Sequence, residues 1–454
     1  MNKLKIAGWM GCLLTAVLST QMFAQVGGPL KFIQVPGKSA GKASSSGVLT
    51  NGTLYLAGQN GRNADGSVPV DAAQETTQAI NNMRGVLQAA GMDLGNLAWI
   101  NIYVVGADNL SAVESAYWKA IGTKPPARSV QVVGSLAGDE KVEINGIASS
   151  ETVHRKVIQP AGWPQGPGMD PAGIQINDVL YMSAMGGVDP ATGKMAADYS
   201  GEVKQSLDNV ATILKTAGMT MKNVVWVNPF SSAGTEGGGA GGGGSMSRIY
   251  ASYFEFGNTP GRATITMENL PKQQHFIAFC IAGADLSKRH TTLPRNMVPS
   301  ATASPGIVYD DTYYMSAKSG FIPDQGVVTP DVLLQLRQTM RNLLDDLQYA
   351  PDMDFNDVVF STAYLTDIHT DEDKYLDLYG TFFKDGHFPA LTVLQQTLPR
   401  ARGAGGAGGT RGNRAADATP AAGAAATAAP AAPARQPALP SKEQISFIAV
   451  RQPK

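Results

Sequence analysis

TLYLAGQNGRNADG, residues 53–66, recurs as VLYMSAMGGVDPATG at 179–193 and as TYYMSAKSGFIPDQG at 312–326. Leu56, Met182 and Met315 hold the same place in it, at offsets of 126 and 133 residues. Repetition at such a period means one structural unit copied along the chain. The 454 residues, at roughly 150 per domain, leave room for about three units.

Each copy continues into a helical segment: AAQETTQAINNMRGVLQAAGM, SGEVKQSLDNVATILKTAGM and DVLLQLRQTMRNLLDDLQYAPDM. In the first two, apolar residues recur three and four apart and a Gly closes the run, which predicts an amphipathic helix and its stop. A β-type run follows near Trp99, Trp226 and Phe360, and then a shorter aromatic helix: SAVESAYWKAIG, SRIYASYFEFG or EDKYLDLYGTFFKDG. That aromatic stripe reads as core packing, with no binding role. The first copy closes with ARSVQVVG and KVEINGIAS, split by SLAGDE, which reads as an antiparallel hairpin. One unit is therefore strand, strand, helix, strand, helix, strand, strand, an α+β layer with both helices on one face of a mainly antiparallel sheet.

Two insertions interrupt the rhythm, a Gly-rich stretch at 234–245 and an Ala/Gly/Pro-rich stretch at 401–440, and neither can bury a core. Lys3 and Lys5 precede an apolar run at 6–18 and the sequence QMFAQ, which predicts a signal peptide over 1–24 and a periplasmic or secreted protein. A membrane anchor is the alternative, although the run is shorter than the roughly 20 residues that span a bilayer. The expected domains are then 25–152, 153–290 and 291–454.

Thirty-six Lys and Arg against 37 Asp and Glu give a net charge of -1, so no global basic field exists for a nucleic-acid backbone. Of two cysteines, Cys12 lies in the expected leader, and Cys280 in HFIAFCIAG reads as a small packing group. His154, His275, His290, His369 and His387 show no ligand spacing, so neither metal nor cofactor is expected.

GKMAADYSGEVKQSLDNVATILKTAGM, PPARS, KVEINGIAS and PGRATITMENLP together resemble the Rid family, also called YjgF or L-PSP. The resemblance implies a chorismate-mutase-like α+β domain that assembles as a trimer with clefts between neighbours. Three copies in one chain imply an intrachain pseudo-trimer, a monomer with pseudo-threefold symmetry. In catalytic members, the resemblance implies, an enamine or imine is hydrolysed to a keto acid and ammonia. An arginine in P-x-R holds the substrate carboxylate, and a glutamate fifteen residues later assists the water. Some members have been described as endoribonucleases, which remains a weaker alternative here.

Carried over by position, Arg128 and Glu143 fit both places in the first unit. The second has Arg262 with Ile277, and the third has Leu391 with Gln444 once the insertion is skipped. The Ser-Gly-Gln that often follows the second strand is Ala57, Gly58, Gln59 here, then Ser183, Ala184, Met185, then Ser316, Ala317, Lys318.

A protonated imine is already electrophilic, so the chemistry needs only a grip on the molecule and a delivered water. Arg128 or Arg262 offers a planar fork of donors for a carboxylate, and Glu143 a general base. The alternatives are a rim salt bridge or capping role for Arg128 and an exposed strand carboxylate for Glu143. If 127–134 and 141–149 form a hairpin, Arg128 and Glu143 share a face but stand four positions apart, about 13 Å at about 3.3 Å per residue. A cleft between domains then becomes the place to look, and two senses of circulation are open. In one, Glu143 faces Leu391, Arg128 faces Ile277 and Arg262 faces Gln444, so no cleft is complete. In the other, Glu143 faces Arg262 and makes the single complete pair, which is the expected working site. A non-catalytic small-carboxylate binder or scaffold is the main alternative to a deaminase.

Overall fold

The computed structural model describes residues 28–35, 42–233, 244–294, 297–323, 325–349, 353–398 and 439–453. The expected leader and most of both expected insertions lie outside the described residues. The first domain runs β1 (Lys31–Ile33), β2 (Gly47–Thr50), β3 (Thr53–Asn60), α1 (Ala72–Ala89), β4 (Leu97–Val105), α2 (Leu110–Ala120), β5 (Ala127–Val133) and β6 (Val142–Ser149). Asn51 and Gly52 join β2 to β3 with φ of 47° and 73°, the left-handed pair that a two-residue hairpin requires. Asp71 caps α1 by accepting from the Gln74 amide, and Gly91, at φ 76°, ends the turn beyond it.

The second domain runs β7 (Arg155–Ile158), β8 (Gly173–Ile176), β9 (Val179–Met182), β10 (Met185–Gly186), α3 (Tyr199–Thr216), β11 (Val224–Ser232), α4 (Gly244–Ala251), β12 (Gly261–Arg262), β13 (Ile265–Met267) and β14 (Phe276–Gly283). The third runs β15 (Arg289–Thr292), β16 (Gly306–Tyr309), β17 (Thr312–Met315), β18 (Phe321–Ile322), β19 (Gly326–Val327), α5 (Val332–Tyr349), β20 (Val358–Leu365), α6 (Ile368–Gly380), β21 (Ala390–Gln395) and β22 (Glu443–Val450). Asp198 and Asp331 cap α3 and α5 as Asp71 caps α1, so one device starts the long helix of every unit.

The first and third sheets share one order, β1-β2-β3-β6-β4-β5 and β15-β16-β17-β22-β20-β21. The second repeats it with β12 and β13 together in place of one continuous edge strand. This corrects the expected hairpin. β5 runs parallel to β4, with Arg128 opposite Ile100, while β6 lies on the other side of β4, with Glu143 opposite Tyr103. The chain at 135–140 crosses the end of β4 instead of folding back. Leu136 shows why: it is fully buried in a cluster with Val133, Leu270, Ile277 and Leu394, which come from all three domains. An anchored apolar residue in that segment favours the crossing over an exposed turn.

Strand periodicity distributes each sheet between two cores. Leu54 and Leu56 of β3 point to α1 and join Ile80, Met83 and Leu87, while Tyr55 between them points away. Tyr55 enters a central cluster that draws Trp99 and Ile147 from the first domain, Tyr181, Trp226 and Phe279 from the second, and Tyr314, Phe360 and Ile448 from the third. Trp99 stacks on Phe279 with centroids 4.0 Å apart, a contact worth about 1 kcal/mol beyond its buried area. The three sheets thus close around a shared apolar centre, and their outer faces carry the helices.

Candidate functional site: three unequal clefts

Backbone hydrogen bonds at the seams fix how the domains circulate. The Arg128 amide donates to Ser183 Oγ at 2.9 Å, and Ala184 N returns a bond to the Arg128 carbonyl at 3.0 Å. The Arg262 amide donates to Ser316 Oγ at 2.8 Å, and Ala317 N bonds the Arg262 carbonyl at 3.1 Å. At the third seam Ala57 has no hydroxyl, and Ser44 accepts from the Leu391 amide at 3.1 Å instead. Each domain therefore offers its P-x-R position to the next, and the third closes on the first.

This is the sense in which no cleft unites arginine with glutamate. Arg128 meets the second domain, whose glutamate place is Ile277; Arg262 and Gln444 line one cleft; Glu143 and Leu391 line another. The expected pair of Arg262 with Glu143 is corrected accordingly: the two side chains belong to different seams.

Arg128 is 6% exposed, and its fork is already filled. Nη1 and Nη2 donate to the two oxygens of Glu114, each at 2.8 Å, and Nη2 also donates to Asp170 Oδ2 at 2.8 Å. Its guanidinium lies 4.2 Å from the Tyr117 ring centroid and 5.1 Å from that of Trp118. Burial works against the charge, but Asp170, Glu114 and Tyr117 more than offset it and raise the pKa. Here the chain's own carboxylates stand where a substrate carboxylate was expected.

Arg262 is the contrast. Among the described residues it has no ion pair, and Nη1 is buried without an acceptor. Burial lowers its pKa, with the Tyr250 ring, 5.1 Å away, pulling the other way. β12 and β13 break at Ala263 and Thr264, where Asn228 Nδ2 takes the Ala263 carbonyl at 2.6 Å, and this interruption accompanies the freed guanidinium. The cleft holds about 250 Å³ and is lined by Arg262, Thr264, Ser316, Lys318 and Gln444, with Met297 and Val298 on its apolar side. Thr264 Oγ1 is a second buried polar atom without a partner. Lys318 is occupied by Asp346, 2.6 Å away. A partly buried cation and a buried hydroxyl without partners are costly unless something polar satisfies them.

Glu143 lines a cleft of about 370 Å³ with Glu140, Glu372, Arg62, Leu376, Leu391 and Val393. Burial, then Glu372 and Glu140, push its pKa up to about 8. Gly58 lies against it so closely that a Cβ there would overlap Glu143 Oε1. The equivalent places are Ala184 beside Ile277 and Ala317 beside Gln444, so glycine accompanies only the glutamate. Arg62 Nε is 2.5 Å from Glu140 Oε1.

Sequence reasoning missed Glu114, Asp170, Thr264, Glu140 and Glu372. It also read the aromatic helix as core alone, whereas Tyr117 and Tyr250, at matching places, each lie against the arginine of their own domain. Cys280 is buried with its thiol pKa raised by burial, the packing role expected of it. Among the described residues no group of three or more His, Cys, Asp or Glu is arranged to hold a metal, and no helix is long and apolar enough to cross a membrane.

A family model described as Endoribonuclease L-PSP matches residues 37–150 and again 170–277. The 2-iminobutanoate/2-iminopropanoate deaminase of Capra hircus is 34% identical over 106 residues, 23% of this chain and 77% of that protein. The protein of the same name from Rattus norvegicus is 31% identical over 129 residues, 27% of this chain and 84% of that one. A solved Rid-family structure from Yersinia pestis, of unknown function, is 28% identical over 28% of this chain and 98% of its own, with a TM-score of 0.26. The third domain lies beyond the family-model match, and its sheet order is that of the first. On sequence, the chain belongs to the Rid family, also called YjgF or endoribonuclease L-PSP.

Proposed function

We propose that the chain takes a small 2-imino or 2-keto acid into the cleft between its second and third domains, where Arg262 holds the carboxylate, and that imine hydrolysis there proceeds without a carboxylate base. One observation carries this reading: Arg128 spends both Nη atoms on Glu114 and Asp170 and leaves only its Nε without an acceptor, whereas Arg262 has no carboxylate on any of its guanidinium donors among the described residues. The deaminase names of the relatives support the substrate class. An exported location, supported by Lys3, Lys5 and the apolar run at 6–18, completes the proposal.

Water adds to the iminium carbon and gives a carbinolamine. The C–N bond then breaks, ammonia leaves with its proton as ammonium, and a keto acid remains. The iminium supplies its own electrophilicity, and the guanidinium supplies position and charge complementarity. Gln444 can hold a water by hydrogen bonds but cannot take its proton, so the factor of about 10²–10⁴ that a general base contributes is forgone. That same residue favours the second reading, a keto-acid binder without turnover.

Titration calorimetry with pyruvate, followed by ammonia release from freshly generated 2-iminopropanoate, tests both. The expected result is saturable pyruvate binding that Arg262→Leu abolishes and Arg128→Leu leaves in place. Binding that survives Arg262→Leu overturns the site. Binding with no ammonia release above the spontaneous rate leaves the non-catalytic reading standing alone.

A further inference from the structure

The cleft between the first and third domains has its charge inverted. Leu391 stands where Arg128 and Arg262 stand in the other two domains, and with Leu376 and Val393 it makes an apolar wall. Glu143 enters from β6 of the first domain and Glu372 from α6 of the third. Neither carboxyl has a hydrogen-bond donor or a cation bonded to it among the described residues, and each has its pKa raised, first by burial and then by neighbouring carboxylates. The two cations in the lining are already engaged, Lys42 with Asp377 and Arg62 with Glu140.

Glu140 supplies an independent observation. It is 4% exposed, its Oε1 is held by Arg62 Nε and by Asn60 Nδ2 at 3.0 Å, and its Oε2 is buried with no donor at all among the described residues. A native structure rarely leaves a buried carboxylate oxygen unsatisfied, so this atom marks a place for a donor that the described residues do not provide.

We infer that this cleft binds a short aliphatic amine in its ammonium form, with the N–H donors on Glu143, Glu372 and Glu140 and the hydrocarbon against Leu376, Leu391 and Val393. An ammonium carries three donors and no acceptor, which matches carboxyl oxygens that lack donors and offers nothing to a carboxylate ligand. A volume of about 370 Å³ is at the small end of ligand pockets, suited to a chain of a few carbons. The site is separate from the Arg262 cleft and stands whether or not that cleft binds keto acids.

The test is titration calorimetry on the full chain with butylamine and putrescine, against butanol and butanoate at matched ionic strength. Saturable binding of an amine, with none of butanol or butanoate, is the expected result. Glu143→Gln should weaken it by about tenfold or more, as loss of a charge-assisted bond does, and Glu143→Gln with Glu372→Gln should remove it. Leu391→Arg should abolish amine binding and admit butanoate. No binding of either amine, equal binding of butanol, or an affinity unchanged in the double variant overturns the inference. The comparison of butylamine with butanol uses the unaltered chain, so it decides even where a variant fails to fold.

Discussion

Asp170 of the second domain holds Arg128 of the first, with Oδ2 2.8 Å from Nη2, and with Glu114 it uses the donors that Arg262 keeps free one seam further on. Two arginines at the same place in the repeat thus have opposite electrostatic situations. One is a neutralised strut between domains; the other is a partly buried charge with no carboxylate bonded to it among the described residues.

The two should respond to truncation with opposite signs. Arg128→Leu strands Glu114 and Asp170 at a seam and should destabilise the chain by about 1–3 kcal/mol, less than a fully buried pair would lose because both carboxylates keep part of their surface in solvent. Arg262→Leu removes a partly buried charge that no carboxylate compensates among the described residues, and should leave stability unchanged or raise it by about 1 kcal/mol. Urea-unfolding midpoints of the two variants, measured beside the parent, check the ordering. Equal losses would show that Arg262 has a structural partner.

Placing a base in the Arg262 cleft should create turnover. Gln444→Glu restores a carboxylate fifteen residues after the P-x-R position in the register of the fold, opposite Arg262. Ammonia release from 2-iminopropanoate should rise by about 10²-fold or more over the parent chain, provided pyruvate is still bound. An unchanged rate would show that the cleft positions no water.

The acidic cleft makes stability depend on pH in an unusual direction. In that cleft Glu143 is pushed up to about 8 and Glu372 to about 7, and Glu443, buried beside Thr339 in the third domain, to about 8, all from an ordinary value of 4.5 and all first by burial. Raised carboxyl pKa values mean that the folded chain binds more protons than the unfolded chain between about pH 4.5 and 8, so stability should fall as pH rises through that window. Melting temperatures across it should decline, and Glu143→Gln should flatten the decline and exceed the parent above neutrality. A flat parent profile would count against these shifts.

Gly58→Ala should act through Glu143. The added methyl cannot coexist with Oε1 in its present place, so the carboxylate must move or the strand must shift. The expected signature is a loss of about 1–3 kcal/mol together with an altered titration of Glu143 by carbon-detected NMR. Gly58→Ala combined with Glu143→Gln should lose much the same stability as Gly58→Ala alone if β3 rather than the side chain yields.

Much of the fold was legible because it is written locally. The apolar spacing of the helices and the closing Gly91 need no distant partner to be read, and the caps Asp71, Asp198 and Asp331, which the sequence reading did not single out, are just as local. Strand order was harder. β5 and β6 are neighbours in sequence but flank β4, and the burial of Leu136 that drives this depends on residues from other domains. The site suffered the same way. Glu114 and Arg128 lie 14 residues apart across a helix and a strand, and Asp170 sits in the loop between β7 and β8, whose equivalents carry Ser44 and Ala303 at the same place, so no periodicity announced their meeting. The sense of circulation rests on bonds such as Arg262 N to Ser316 Oγ, which only the assembled sheets reveal. Tyr117 and Tyr250 could have been found: they occupy matching places, and both domains carry the arginine they touch.

Closure of the ring by the third domain onto Ser44 has an evolutionary corollary. A ring of identical subunits must accept every substitution three times over, once per pocket. Covalent linkage lifts that constraint, so each pocket can drift, plug itself or reverse its charge while its siblings stay intact, and a single gene product can come to hold three different chemistries.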